Sequence, residues 1–397
     1  AAHVFTENYL YTAEAFDLYL SRLTEGGVMN MMRPEYSPPR EMLKALTTAV
    51  GALRRRGASR PADHIVMVSA TSGNFVAMLV KGSPFTDPEL QRIRAWAKGS
   101  RRFGIAAAPR WEPDRPSLFQ EFLALNRPGE EAAFVSAYPF DIAPATDDRP
   151  FFFRYSFWWH LFPSDPAIWA EVPLMELGLC LLLALIALAA ALFVWAPLRH
   201  LARIEGRRSP VSRYGVFFAG AGLGYMAVEI AALQKFSLFL GHPNYALSVV
   251  LAALLFSSGI GSQYSAAIVG AAGHVRFVGY AVGALILAEY ELALPGVLPH
   301  VDWPFPLRCA IVCLLLAPLG ALLGTFLPTG LEHLKGEQAA LVPWAWGVNG
   351  TFSVLAPVLA VALSMTWGVS ALLLSAVPVY LVVGWSLPPE PTRIGSS

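Results

Sequence analysis

Charge is what this chain of 397 residues has least of. Asp, Glu, Lys and Arg make up 14% of it, against about 25% in ordinary soluble domains. The scarcity is uneven: residues 1–173 hold 19 basic and 19 acidic side chains, while the longer stretch 174–397 holds 10 and 9. A net charge of +1, with no basic cluster interleaved with aromatics, gives no support for nucleic-acid binding. Cysteine is scarce too. Cys180, Cys309 and Cys313 all lie in apolar runs, and the last two stand one helical turn apart, which is neither a redox CxxC motif nor a metal-ligand set. They are expected to be buried free thiols that pack as small hydrophobes. No second histidine or carboxylate stands at ligand spacing from His242, so no metal site is expected. A charged n-region with an apolar h-region is also missing. No signal peptide is visible, and the chain, which begins on Ala1 and enters at once on an amphipathic pattern, reads as a fragment.

The charged part reads as α/β. Over residues 7–24, Leu10, Ala13, Phe16, Leu20 and Leu23 share one helical face, and Gly26-Gly27 stop the helix. Val28 to Met32 is an apolar run of strand length. A second helix follows Ser37-Pro38-Pro39, carries Met42, Leu43, Leu46 and Val50, and ends on Arg54, Arg55 and Arg56, where cations suit the negative pole of the macrodipole. Two strands, 64–70 and 75–80, flank hairpin chemistry at Thr71-Ser72-Gly73-Asn74, and a third helix spans about 87–96. Helix, strand, helix, strand, strand is the order of the closing half of an α/β sheet whose last strand is antiparallel.

The segment LYTAEAFDLYLSRLTEGGVM, Leu10 to Met29, resembles spermidine synthases and related class I methyltransferase (Rossmann-like) folds, in which a helix leads into a Gly-Gly-Val strand. PATDDRPFFF, Pro144 to Phe153, resembles the end of the synthase-like domain in a family of bacterial membrane proteins described as spermidine synthase-like. Met32 stands about where the soluble enzymes have a glutamine near the active site. The resemblance implies an adenosyl donor, S-adenosylmethionine or its decarboxylated form. It also implies that the catalytic aspartate and the donor-binding residues lie upstream of Ala1.

Asp147 and Asp148 are the catalytic candidates within the chain. A carboxylate pair beside Arg149 can bind an amine or orient a nucleophile; equally, Thr-Asp-Asp-Arg-Pro is turn chemistry in which Arg149 neutralises one charge. The aromatic run from Phe151 through Trp158, Trp159 and His160 reads as an interfacial collar, since amphipathic rings gather at the headgroup layer.

Beyond it the chain reads as a polytopic helical membrane domain. A hydrocarbon core of about 30 Å needs about 20 apolar residues in helix. Seven stretches qualify or nearly so: 174–197, 214–234, 245–270, 277–298, 307–328, 342–363 and 368–387. Glu289, Glu291 and Pro295 make the fourth the one expected to be short or to end early. The linker with Arg199, Arg203, Arg207, Arg208 and Arg213 is the densest basic loop, and the positive-inside rule places it in the cytoplasm. That would leave the α/β part outside, whereas adenosyl donors are cytoplasmic; the reading adopted is a cytoplasmic α/β part on a bacterial inner membrane.

Three more stretches resemble, in order, the C-terminal helices of the same membrane family: GLGYMAVEIAALQKFSLFLGHPNYALSVVL, GTFLPTGLEHL and VPWAWGVNGTFSVL. Glu332 stands where relatives have an arginine. Read physically, Gly220-x3-Gly224 permits close helix approach and is not a nucleotide loop. Glu229 lies seven residues after Gly222 and shares its face, with Gln234, Lys235, His242, Asn244, Gln263 and Asn349 as candidate partners. A carboxylate at membrane depth costs roughly 2.5 to 3.5 kcal/mol. Glu229 is thus either a structural pin, a proton or cation relay, or part of a site for a polar headgroup. His242 suits a cap or solvent-facing role, Asn349 a hydrogen bond across helices, and Trp344 and Trp346 an interface.

The expected organisation is a partial α/β domain over 1–150, an aromatic linker over 151–173 and a multi-span domain over 174–397. The expected function is a membrane-bound spermidine synthase-like transferase moving an aminopropyl or methyl group, inactive without its donor-binding half. The alternative is a transport or lipid-handling module with a non-catalytic synthase-like domain. The partners are the bilayer and a small amine or polar lipid.

Overall fold

The computed structural model describes residues 7–71, 74–100, 102–111, 117–125, 127–162, 174–192, 209–337 and 339–387. The chain divides into two compact units, Ala1–Leu177 and Gly178–Ser397.

The first unit is built on a four-stranded sheet of β1 (Val28–Pro34), β2 (Ile65–Ala70), β3 (Phe75–Lys81) and β4 (Phe103–Ala107). Their order is β1-β3-β2-β4, and every neighbouring pair is antiparallel. β3 is therefore inserted between β1 and β2, which run in the same direction. The register places Met31, Met78 and Met67 side by side, with Met67 also opposite Ala107. Because side chains alternate across a strand, this row faces one core, together with Ile65, Val76 and Val80. Val66, Val68 and Ile105 face a second, smaller core.

The helices follow the local chemistry. α1 (Ala13–Arg22) starts at Thr12, whose hydroxyl accepts from the Ala15 N–H at 3.2 Å, and buries Ala13, Phe16 and Leu20. Leu10, expected on that face, falls before the helix and is 63% exposed. α2 (Glu41–Arg55) packs Met42, Leu43, Leu46 and Val50 against the first core. α3 (Asp87–Ser100) places Leu90 and Ala97 against the second, and the short α4 (Leu118–Ala124) and α5 (Pro128–Ala137) complete the unit. β4, α4 and α5 had no counterpart in the sequence reading, since FGIAA is too short to declare a period. The hairpin between β2 and β3 forms as expected, while Ser72 and Gly73 at its tip lie outside the described residues.

The aromatic run corrects an expectation. Phe151 and Phe152 are buried, and Phe152 stacks on Tyr11 at 4.6 Å between ring centroids. These rings fill the core of the first unit because Asn8 and Ala13 pair with Pro150 and Ala145 through the backbone and draw the segment inward. Trp159 and Phe162 are the exposed members of the run; residues 163–173 lie outside the described residues.

The second unit holds six helices long and apolar enough to cross a membrane: Arg213–Leu240, Pro243–Gln263, Val275–Val297, Phe305–Lys335, Ala339–Trp367 and Val369–Ser386. The protein is consistent with a multi-pass membrane protein. The expected first span is described as α6 (Leu174–Ala190), whose apolar part, Glu176–Ala190, is shorter than the others; residues 193–197 lie outside the described residues.

α7 (Ser209–Leu240) runs down the middle of the unit. α8 (Pro243–Gln263) stops earlier than expected, because the chain turns at Tyr264 into the separate α9 (Ser265–Ala272). α10 (Val275–Ala288) does not end at Glu289: a single π turn, Glu289–Ala293, carries it on to α11 (Leu294–Val297). α12 (Phe305–Leu323) breaks before α13 (Phe326–Glu337), and α14 (Val342–Trp367) and α15 (Val369–Ser386) finish the unit. The break has a cause. Pro328 has no N–H to give the Gly324 carbonyl, and its ring crowds that same carbonyl.

Small residues set the packing. A Cβ at Gly224 would lie 2.7 Å from the Tyr380 ring, and one at Gly220 would overlap Val383, so these glycines let α15 approach α7. On the adjacent face a Cβ at Gly222 would lie 2.5 Å from the Asn349 carbonyl of α14. The cysteines are free, as expected, but Cys180 and Cys313 are exposed on the apolar surface rather than buried.

Candidate functional sites

In the first unit, polar side chains gather where β1 ends and α2 begins. Arg33 closes β1 and pairs with Glu41 in the first turn of α2, while its guanidinium also reaches the Tyr11 hydroxyl at 3.3 Å. Glu35 follows. One carboxylate oxygen accepts from the N–H groups of Tyr36 and Arg40 at 2.9 and 3.1 Å, and the other is buried with no hydrogen-bond partner. Burial pushes the Glu35 carboxyl up to about 7, against the pull of the backbone N–H groups. The Arg40 guanidinium lies over the Tyr36 ring at 4.1 Å. Tyr138 donates to the Pro39 carbonyl, and burial raises its phenol to about 12.

One turn into α2 lies a group that hydrophobic patterning missed. Lys44 is 1% exposed, donates to the Arg154 carbonyl at 2.8 Å and lies 4.0 Å from Asp141. Burial lowers its ammonium to about 8, against the attraction of Asp141. Arg149 reaches the same Asp141 carboxylate at 3.3 Å. Burial alone would raise the Asp141 carboxyl, but Lys44, Arg149 and Arg154 together hold it below its usual range. The only early signal of this cluster was a lysine on the apolar face of a helix.

Asp147 is held by other partners. Asp147 accepts from the Thr12 hydroxyl at 2.6 Å, and its own N–H donates to Glu14 at 3.0 Å. The turn closes through the Arg149 N–H to the Thr146 carbonyl at 2.9 Å. These contacts fasten the turn to the start of α1. Burial raises the Asp147 carboxyl, partly offset by the Thr12 hydroxyl.

In the second unit four of the expected partners of Glu229 hold bonds to other residues. Gln234 accepts from Ser364 at 3.1 Å, and Lys235 donates to Ser370 at 2.7 Å. His242 caps α8 by accepting from the Asn244 N–H at 3.1 Å, and Asn349 donates to the Phe218 carbonyl at 3.1 Å. The last two match the cap and the cross-helix bond read from the sequence. Trp344 is partly buried and packs over Gly215, whereas Trp346 is exposed.

What the bundle does assemble is a cavity of about 300 Å³ among α7, α8, α14 and the break between α12 and α13. Tyr225, Ser258, Ser262, Asn349 and Ser353 supply its polar groups, and Gly222, Gly259 and Gly324 leave their backbones bare to it. The Tyr225 hydroxyl is buried without a well-formed hydrogen bond, with Ser258 beside it. Glu229 is one helical turn from Tyr225 but does not line the cavity.

Among the described residues no group of three His, Cys, Asp or Glu side chains could hold a metal ion. The strand-to-helix link from β1 to α2, Glu35 to Arg40, contains no glycine, so this link does not supply a glycine-rich turn for an adenosyl donor. Comparison of the chain with family models, with curated proteins and with solved structures finds no match.

Proposed function

We propose that this chain is part of a membrane-bound, spermidine synthase-like transferase, with the first unit on the acceptor side of an aminopropyl or methyl transfer. The observation that carries the reading is β3, inserted antiparallel between the co-directional β1 and β2, which are linked through α2. This is the arrangement expected of the closing part of a doubly wound sheet. In such sheets ligands bind outside the carboxyl ends of the strands. Arg33, Glu35, Arg40 and Glu41 gather at that end of β1.

Glu35 has the properties of a proton acceptor for an amine at neutral pH, since its carboxyl titrates near 7 and one oxygen is unpartnered. It replaces Asp147 and Asp148 as the acid–base candidate. No step is assigned to the donor. In this reading the helical unit sits in a bacterial inner membrane and the first unit faces the cytoplasm, where adenosyl donors are found. The test is isothermal titration of the protein, purified from its complete gene, with S-adenosylmethionine and with its decarboxylated form. Saturable binding of one of them is expected; binding of neither by the folded protein refutes the reading.

A second reading, a transport or lipid-handling bundle carrying a non-catalytic α/β unit, is favoured by the polar cavity at a broken helix. Discontinuous helices that place polar groups near mid-membrane are a recurring construction in transporters.

A further inference from the structure

We propose that the cavity of the helical unit binds a lipid through an uncharged, hydroxyl-bearing head group, leaving the lipid's chains outside the bundle. The inference requires the helices to lie in a bilayer; it does not depend on the transferase reading.

Among the described residues, no Asp, Glu, Lys, Arg or His faces the cavity. A phosphate would meet no cation there, and an ammonium group no carboxylate. What the walls offer is neutral hydrogen bonding: the Tyr225 hydroxyl, which has no well-formed partner, the Ser353 hydroxyl, the Ser258 hydroxyl, which donates to the Leu255 carbonyl and keeps its capacity to accept, and the Asn349 side-chain amide, one N–H of which goes to the Phe218 carbonyl. Unmet polar groups are costly at hydrocarbon depth. A polyol head both donates and accepts, so it satisfies them in pairs.

Leu255, Gly259 and Ser262 are spaced at i, i+4 and i+7 along α8 and are all exposed, so the cavity opens sideways through the outer surface of that helix. Gly259 differs from its neighbours. At Gly222 and Gly324 an added Cβ would run into the Asn349 carbonyl and the Ser258 backbone, so these two glycines serve helix packing. At Gly259 an added Cβ would meet nothing within 4 Å. Packing does not require a glycine there; its bare surface leaves the entrance clear.

About 300 Å³ is at the lower limit of ligand pockets. It admits a head group with its first few carbons, and the remaining chain has to lie along the exposed apolar surface of Leu255 and its neighbours.

The test is native mass spectrometry of the purified full chain in detergent, titrated separately with dioleoylglycerol, dioleoylphosphatidylglycerol and sphingosine. The wild type is expected to retain one dioleoylglycerol. Gly259→Phe, which blocks the mouth, and Tyr225→Phe with Ser353→Ala, which strips the walls, should each reduce that occupancy at least 10-fold, with the other two lipids held equally by all three proteins. Because Gly259 faces open space, Gly259→Phe should keep the wild-type circular dichroism. The proposal is overturned if dioleoylglycerol fails to bind saturably, if folded Gly259→Phe binds it as wild type does, or if the anionic or cationic lipid displaces it from the same site.

Discussion

The Arg154 guanidinium and the Glu176 carboxylate meet at 3.2 Å with side chains 4% and 0% exposed, and Ser156 donates to the other carboxylate oxygen at 2.6 Å. Breaking a buried pair strands a charge, at a cost of about 3–5 kcal/mol. Arg154→Met is therefore expected to lower the unfolding free energy of the first unit by about that amount. The double variant Arg154→Met, Glu176→Leu removes both charges and should recover most of the loss. Urea denaturation followed by tryptophan fluorescence reads both.

Glu35 gives a pH dependence of determined sign. Its carboxyl titrates near 7 in the folded chain against an ordinary 4.5, so between those values the folded state holds a proton that the unfolded state releases. Stability contributed by this group falls as pH rises through about 4.5 to 7, and the penalty is complete above it. Glu35→Gln should then melt about 2–4 °C higher than wild type at pH 8, allowing for partial exposure, and equally at pH 4. Scanning calorimetry at the two pH values checks it; a gain of equal size at both would show a packing effect instead.

The glycines of α8 and α9 divide into packed and open ones. A Cβ at Gly261 would overlap the Ala321 carbonyl of α12, so Gly261→Val should push the two helices apart and abolish monodisperse elution in detergent. Gly270, in α9, faces open space, and Gly270→Ala should leave elution unchanged while stabilising its helix by up to about 1 kcal/mol.

Asp147 belongs to a turn. Asp147→Ala removes the acceptor of the Thr12 hydroxyl and should cost about 1 kcal/mol of stability. In the proposed transferase, activity per folded molecule should stay at the wild-type level, which a steady-state assay normalised to folded protein would show.

Where the chain states its structure locally, the sequence was legible. Period-3.6 apolar faces located α1 and α2, the polar turn at Thr71 and Asn74 located the hairpin, and apolar length located the spans. What it hid depends on partners distant in the chain. Phe151 and Phe152 form an aromatic run that suits an interface as well as a core, and only pairing of their segment with residues 8–13 decides between them. Glu289 looked like a helix end because one π turn leaves no mark in composition. That the break at Pro328 borders Tyr225, Ser258 and Asn349 follows from four helices converging. Lys44 was hidden by the rule that a charge on an apolar face is an exception, and its partner Asp141 lies almost a hundred residues further on.

The central claim is that the α/β unit serves group transfer from an adenosyl donor. Its most direct test is to incubate membranes containing the protein from its complete gene with S-adenosylmethionine or its decarboxylated form and an amine acceptor, and to follow the nucleoside product. The account predicts accumulation of S-adenosylhomocysteine or of methylthioadenosine, reduced at least 10-fold in Glu35→Ala. Accumulation of neither, from protein shown to be folded, would contradict it.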